Sequence, residues 1–309
     1  MSYTAEVKDE LARLTPSRRC CRLTELSALL HLEGVLHISG THRLSIHTES
    51  ENAAVARKIF LLLKDLFRVS PQLSVEKIPR LRGHNCYRLY LGEEERSTQI
   101  LNELGLLDNS LRPVLGTPER LTRRHCCGIS YLRGAFLGGG YISRPDQPAH
   151  LEICVQHQEM AEDLGNLMAS YEMPMNVSRR NKMYVIYSKS RREQAAFLAL
   201  VGAHQQMLHL ESEAVLREIR EKINRRVNSE TANLERTVDA AQRQLRDIRL
   251  VESVKGLELL PESLKEIAQA RMRYPEASLK ELGTYLEPPI SKSAAYHRLL
   301  RIHRMAVKI

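Results

Sequence analysis

Apolar and polar residues fall into two regimes along this chain. Through Val201, period-two alternation and helical spacing take turns; beyond Gly202 only helical spacing remains. Tyr131 to Ile142, YLRGAFLGGGYI, is an apolar run dense in glycine. Gly134 and Gly138, four apart, stack on one helix face as a strip without side chains, so a second backbone can approach. Gly138, Gly139 and Gly140 are expected to end that helix in a chain reversal, with Tyr141 and Ile142 opening a strand. Leu26 to Gly34, LSALLHLEG, has the same build and supplies the partner, facing the glycine strip with Ser27 and Ala28. Gly34 and Gly140 lie 106 residues apart, as do the pairs Cys20-Cys21 and Cys126-Cys127, each preceded by arginines (Arg18, Arg19; Arg123, Arg124). That regularity is an internal duplication.

The first copy follows a short helix from Thr4 to Leu14, capped by Thr4 and stopped ahead of Pro16. After the helix ending at Gly34, strands Val35 to Ile38 and Leu44 to Thr48 flank a Ser39-Gly40 turn. Asn52 to Arg68 is an amphipathic helix with Ala53, Ala56, Ile59, Phe60, Leu63 and Phe67 inward. Gln72 to Ile78 and Tyr87 to Leu91 form a second hairpin, and Ser97 to Leu106 a closing helix. A linker, Leu111 to Arg124, leads to the second copy. This has a helix Ile129 to Gly138, strands Tyr141 to Ser143 and Leu151 to Val155, and a helix Gln158 to Tyr171. Strands Asn176 to Arg179 and Met183 to Ser188 follow, then a helix Glu193 to Val201. Two long helices, Glu211 to Ile223 and Leu234 to Val254, flank RRVNSETAN (Arg225 to Asn233), a polar, cap-rich stretch expected to be a domain boundary.

The last segment has its own grammar. Leu260-Pro261-Glu262 opens a helix that runs to Arg273 and stops before Pro275. Ser278-Leu279-Lys280-Glu281 is a capping box, after which Leu279, Leu282 and Leu286 mark one apolar stripe around Gly283. Glu287-Pro288-Pro289-Ile290 is a forced turn, and Ser291 caps a helix to Ala306 with Ala295, Leu299, Ile302 and Ala306 inside. Two short helices joined by a tight turn, the second basic, have the form of a helix-turn-helix. After Glu287 there is no carboxylate, against Lys292, Arg298, Arg301, Arg304 and Lys308. Opposite the apolar stripe lie Ser293, Tyr296 and His297, of a size to reach base edges, then Arg301 and Arg304, suited to phosphate. Lys280, Ser291, Lys292 and Arg298 complete the candidate DNA-binding set.

The whole-chain balance agrees: 46 Lys and Arg against 37 Asp and Glu give +9, which suggests a polyanionic partner, nucleic acid before membrane. No apolar run approaches a membrane span, and the N-terminus lacks a signal peptide's apolar core, so a cytoplasmic protein is expected. Six cysteines do not make a disulfide framework, and neither adjacent pair has C-x-x-C spacing, so reduced, half-buried thiols and no metal are expected.

The duplicated helix ending in glycine before a strand pair resembles the LAGLIDADG fold of homing endonucleases. With its helix-turn-helix tail, the whole chain closely resembles the WhiA family of Gram-positive bacterial regulators. The matching stretches are YLRGAFLGGGYIS, NSETANLERTVDAAQRQ at Asn228 to Gln244, and EASLKELGTYLEPPISKSAAYHRLLRI at Glu276 to Ile302. The resemblance implies an α+β fold: a duplicated LAGLIDADG-like αββαββα domain, then an all-α helix-turn-helix domain. The expected parts are 1–110, 111–224 and 225–309, with the helix-turn-helix at 277–306. It further implies a transcriptional role in cell division, chromosome segregation and sporulation, on double-stranded DNA at the nucleoid, by a monomer with RNA polymerase or another transcription factor as candidate partner. Nucleases of this fold carry an acid just before each terminal glycine; here those positions hold Glu33 and Gly139, so no catalytic residue is expected. Glu33 is expected as a charged helix end in solvent or beside a basic residue, with Asp146 and Glu152 the nearest acids for a rescued metal site. Arg179, Arg180 and Lys182, flanking a hairpin turn, are a possible additional DNA contact. The alternatives are a metal-dependent LAGLIDADG endonuclease and an adaptor that does not bind DNA. No cofactor is expected.

Overall fold

Helix pairing across the duplication organises the first unit of the computed structural model, which describes residues 2–39, 43–78, 84–92 and 95–309. The chain runs α1 (Tyr3–Arg13), α2 (Arg19–Glu33), β1 (Gly34–Ser39), β2 (Arg43–Ser50), α3 (Ala53–Phe67), β3 (Gln72–Ile78), β4 (His84–Leu91) and α4 (Glu95–Glu103). A short α5 (Glu119–Thr122) leads to α6 (His125–Gly139), β5 (Gly140–Ile142), β6 (Leu151–Val155), α7 (Gln158–Ala169), β7 (Asn176–Arg180), β8 (Met183–Ser188) and α8 (Arg191–Val201). Beyond them lie α9 (His204–Lys255), a 3₁₀ turn, α10 (Glu262–Arg273), α11 (Leu279–Thr284) and α12 (Lys292–Ala306). Two compact units result, Met1–Leu216 and Arg217–Ile309.

Each repeat carries a four-stranded antiparallel sheet, in the orders β1-β2-β4-β3 and β5-β6-β8-β7. The same strand order in both repeats is the duplication made visible, and the expected α+β architecture is found. The Ser39-Gly40 turn extends outside the described residues at Gly40.

α2 and α6 pack along their lengths. A Cβ added at Gly134 would stand 2.4 Å from the Glu25 carbonyl oxygen and 2.8 Å from Ala28 Cβ; one at Gly138 would stand 2.9 Å from Leu32 Cβ. The glycine run therefore serves close approach. The expected reversal does not occur: Gly138 and Gly139 stay helical, and Gly140 has φ −83° and leads straight into β5. Ser27 departs from its expected place as well, since its hydroxyl donates to the Leu104 carbonyl at 2.6 Å. Both helices begin earlier than their apolar spacing suggests, with the two cysteine pairs inside their first turns.

Polar groups missed in the pattern fasten this unit. Ser2, not Thr4, caps α1; the Thr4 hydroxyl instead donates to the Ile142 carbonyl at 2.8 Å and accepts from its N–H at 3.1 Å. In α3, Ala53 is exposed and Phe60 half-buried, while Lys58 points inward beside Val55, Ile59, Leu62 and Leu63. Its ammonium meets the Glu25 carboxylate, which also takes Arg133 Nη1 at 3.2 Å.

The two helices expected around Arg225 to Asn233 are one helix, α9, 52 residues long. Its polar middle satisfies itself within the helix: Arg226 pairs with Glu230 four residues on at 2.9 Å, and the Thr237 hydroxyl donates to the Asn233 carbonyl at 2.8 Å. Cap-type side chains end a helix only when their bonds go to free N–H groups. In the second unit Ile248 and Val251 of α9 join Leu264, Ile267, Leu282, Leu286, Ala295, Leu299 and Ile302 in a separate core.

Candidate nucleic-acid interface

The three closing helices are held by local chemistry readable residue by residue. Ser278 and Glu281 form the capping box of α11, and Ser291 Oγ accepts the Ala294 N–H at 3.2 Å to start α12. Between them the chain folds back over Gly283: Ile290 N–H donates to the Gly283 carbonyl at 2.9 Å, and a Cβ there would lie 2.3 Å from the Ile290 carbonyl oxygen. Ala295, Leu299, Ile302 and Ala306 are buried as their spacing requires. The fixed turn and apolar seam leave the opposite face of α12 in solvent.

On that face Lys292, Ser293, Tyr296, His297, Arg301 and Arg304 are exposed, and Lys280 is exposed on α11. Tyr296 and His297 meet edge to face at 5.6 Å. Among the described residues, Lys280, Lys292, Arg301 and Arg304 form no ion pair, so their charge is available to a partner. Two members of the candidate set are turned to the fold. Arg298 reaches back to α10, donating to the Ser263 carbonyl at 3.2 Å and the Glu266 carboxylate at 3.3 Å. Ser291 is engaged as the cap.

A residue that the sequence reading missed completes the module. Arg271 is 1 % exposed and donates to the carbonyls of Pro275 (3.3 Å) and Ala277 (2.6 Å), fixing the α10–α11 connection. Desolvation lowers its pKa to about 10. The available signal was a cation at a core position, four beyond Ile267 and seven beyond Leu264. His303 likewise meets Asp247 of α9 at 2.9 Å.

In the first unit the positions of the nuclease acids lie at the ends of α2 and α6. Glu33 is neither a solvated helix end nor a simple surface pair. Its Oε1 accepts the Ser50 hydroxyl at 3.2 Å, and its Oε2 is sealed from solvent. Burial pushes the carboxyl up to about 8 against the opposing pull of Lys8 and Ser50. At Gly139 a Cβ would stand 2.4 Å from the Cys154 carbonyl oxygen, so a carboxylate has no room. Asp146 pairs with Arg144 at 3.3 Å, while Glu152 holds His150 at 2.7 Å and Arg180 at 3.3 Å. Burial that outweighs the nearby Lys8 charge is the physical reason Glu33 departs from expectation, and Asp146 and Glu152 are each already paired with a cation.

Among the described residues, several cations of the sheets are already engaged. Arg179 lies over the Tyr184 ring at 6.0 Å, Arg180 is engaged by Glu152, and Lys182 is exposed beside the left-handed Asn181 turn. In the first repeat Arg88 is bracketed by Glu49 at 2.6 Å and Glu76 at 3.1 Å. No helix among the described residues is long and apolar enough to cross a membrane.

Family comparison covers most of this architecture. Residues 19–107 match the WhiA N-terminal LAGLIDADG-like domain, 129–220 the WhiA LAGLIDADG-like domain and 223–306 the WhiA C-terminal HTH domain. A relative from Desulforamulus reducens, described as a probable cell division protein WhiA, is 43% identical over 310 residues, spanning 100% of this chain and 96% of its own. One so described from Heliobacterium modesticaldum is 42% identical over 306 residues, covering 99% and 96%. The crystal structure of full-length DUF199/WhiA from Thermatoga maritima is similar in fold, with a TM-score of 0.62 at 24% identity over 100% of this chain and 99% of that one.

Proposed function

The chain belongs to the WhiA family, and from that premise we propose that it is a sequence-specific DNA-binding transcriptional regulator. Its sphere is cell division and chromosome segregation, with sporulation where that occurs, and its place is the cytoplasm, at the nucleoid. The relatives' description as probable cell division proteins supports the cellular context. The observation that carries the reading is the solvent face of α12, where Lys292, Arg301 and Arg304 are exposed and, among the described residues, form no ion pair.

α12 enters the major groove. Ser293, Tyr296 and His297 face base edges, while Lys280, Lys292, Arg301 and Arg304 neutralise phosphates. Arg298 and Ser291 hold the helix in place. Arg179 and Lys182 offer a secondary backbone contact. The protein acts as a monomer, with RNA polymerase or another transcription factor as its protein partner. The first unit does not cut DNA: a largely protonated Glu33 opposite Gly139 cannot assemble the near-octahedral oxygen ligation that magnesium needs.

The test is titration of the full chain against genomic fragments it enriches and against random duplex, at several salt concentrations. Tyr296→Ala and His297→Ala should each narrow the gap between target and random DNA by about 1–3 kcal/mol. Arg301→Ala and Arg304→Ala should weaken both kinds alike and reduce the salt slope by about 1 each. Undiminished target binding by a Tyr296, His297, Arg301 triple alanine variant would refute the reading. Cleavage of target DNA with Mg²⁺ that disappears in Glu33→Gln would restore the endonuclease.

A further inference from the structure

The cysteine pairs that spacing separates in sequence meet in space. Cys20 and Cys21 are the second and third residues of α2; Cys126 and Cys127 are the second and third of α6. Because these helices pair along their lengths, the two starts converge, and the four sulfurs all lie within 4.8 Å of one another. A tetrahedral zinc ion with Zn–S bonds of about 2.3 Å holds its sulfurs about 3.8 Å apart. Side-chain torsions that draw the sulfurs inward by about 1 Å or less would therefore close the site.

The surroundings carry the matching charge. Arg18 directs Nη1 at Cys126 Sγ, 3.6 Å away in the other repeat, and Arg124 directs Nη1 at Cys20 Sγ at 4.0 Å. The arrangement is reciprocal, each arginine answering the first cysteine of the opposite copy. A divalent ion with four thiolates carries two surplus negative charges, and two guanidiniums stand beside it. Both helix starts add the positive ends of their dipoles, and neither has a side-chain cap.

We propose that Cys20, Cys21, Cys126 and Cys127 form a closed tetrathiolate site for one zinc-class divalent ion, clamping the two repeats together at the open end of the α2–α6 pair. All-thiolate ligation selects zinc or a single iron over hard cations. Four protein ligands leave no position for substrate, so the role is structural. Binding replaces four S–H protons by one ion and needs no oxidant. The half-buried Cys20 and Cys126 give the ion its entry.

The decisive measurement is elemental analysis of untagged full-length protein purified anaerobically with reductant, followed by cobalt loading of the stripped protein. One zinc or iron per chain, and the visible absorption of tetrahedral cobalt thiolate, are expected. Cys20→Ser with Cys126→Ser should abolish both, whereas Cys86→Ser should leave both intact. Arg18→Ala with Arg124→Ala, which leaves every cysteine in place, should weaken zinc retention against a chelator about tenfold or more. Absence of stoichiometric metal and of cobalt absorption in the unaltered protein would overturn the proposal. So would a disulfide among these four residues as the form isolated anaerobically.

Discussion

Replacing Glu25 by glutamine tests the reasoning about the interior most directly. Glu25 is 0 % exposed; one carboxylate oxygen meets Lys58 Nζ and the other lies 3.2 Å from Arg133 Nη1. Lys58 also donates to the carbonyls of Leu11 (2.9 Å) and Leu14 (2.7 Å), and Arg133 Nε to that of Val201 (2.6 Å). One carboxylate thus neutralises two cations whose other partners are uncharged. Glutamine keeps the shape and strands both charges. Breaking a buried pair costs about 3–5 kcal/mol. The lower end applies here, because backbone carbonyls remain and burial already holds the Lys58 pKa below its ordinary value, easing its deprotonation. At about 2–4 °C per kcal/mol for a unit of this size, the melting point should fall by roughly 6–12 °C. Lys58→Met should cost less, about 1–2 kcal/mol, since Glu25 keeps Arg133. The double variant should then be less destabilised than the sum of the two singles. Urea denaturation of the full chain followed by circular dichroism reads all three. A Glu25→Gln protein within about 1 kcal/mol of the parent, or strictly additive changes, would show that the triad does not act as a charge unit.

Glu33, raised to about 8 from an unfolded value of about 4.3, binds its proton more tightly folded than unfolded. Its stabilising contribution is therefore complete below about pH 4.3 and lost as pH rises towards about 8. Glu33→Gln should gain on the parent across that window in thermal melts; parallel pH profiles would show an ordinary solvated carboxylate. Gly134→Ala should destabilise the first unit by about 1–3 kcal/mol or more, because its Cβ meets the Glu25 carbonyl rather than a movable side chain. An unshifted melting point would contradict the close approach. Gly283→Ala puts a Cβ against the Ile290 carbonyl and should weaken target DNA binding without touching any exposed residue of α12; unchanged affinity would show that the turn tolerates spreading.

Where local spacing decides structure, sequence was enough. The capping box at Ser278, the buried set Ala295, Leu299, Ile302 and Ala306, and the chain offset of the repeats all appear as read. What escaped depends on partners distant in the chain. Lys58 and Arg271 look like surface cations until the carbonyls that receive them are in place. Glu33 looks solvated until β2 brings Ser50 across it. Gly138 and Gly139 look like a turn because the neighbours that require a missing side chain, Leu32 and Cys154, come from other elements. The polar run in α9 misled for the opposite reason: its bonds are local, but run back along the helix.

The Glu25–Arg133 pair also bears on ancestry. The repeat offset aligns Glu25 with Tyr131 and Arg133 with Ser27, so the two ends of this ion pair belong to different halves and have no counterparts in the opposite copy. A symmetric assembly of two first halves would leave each Glu25 with Lys58 but no arginine, and one of two second halves would enclose two arginines without the glutamate. Whatever single-repeat ancestor once self-associated, its modern descendants have lost interchangeability. The interior therefore favours the pairing of unlike halves, which keeps Glu25 and Arg133 together whether or not the halves are covalently joined.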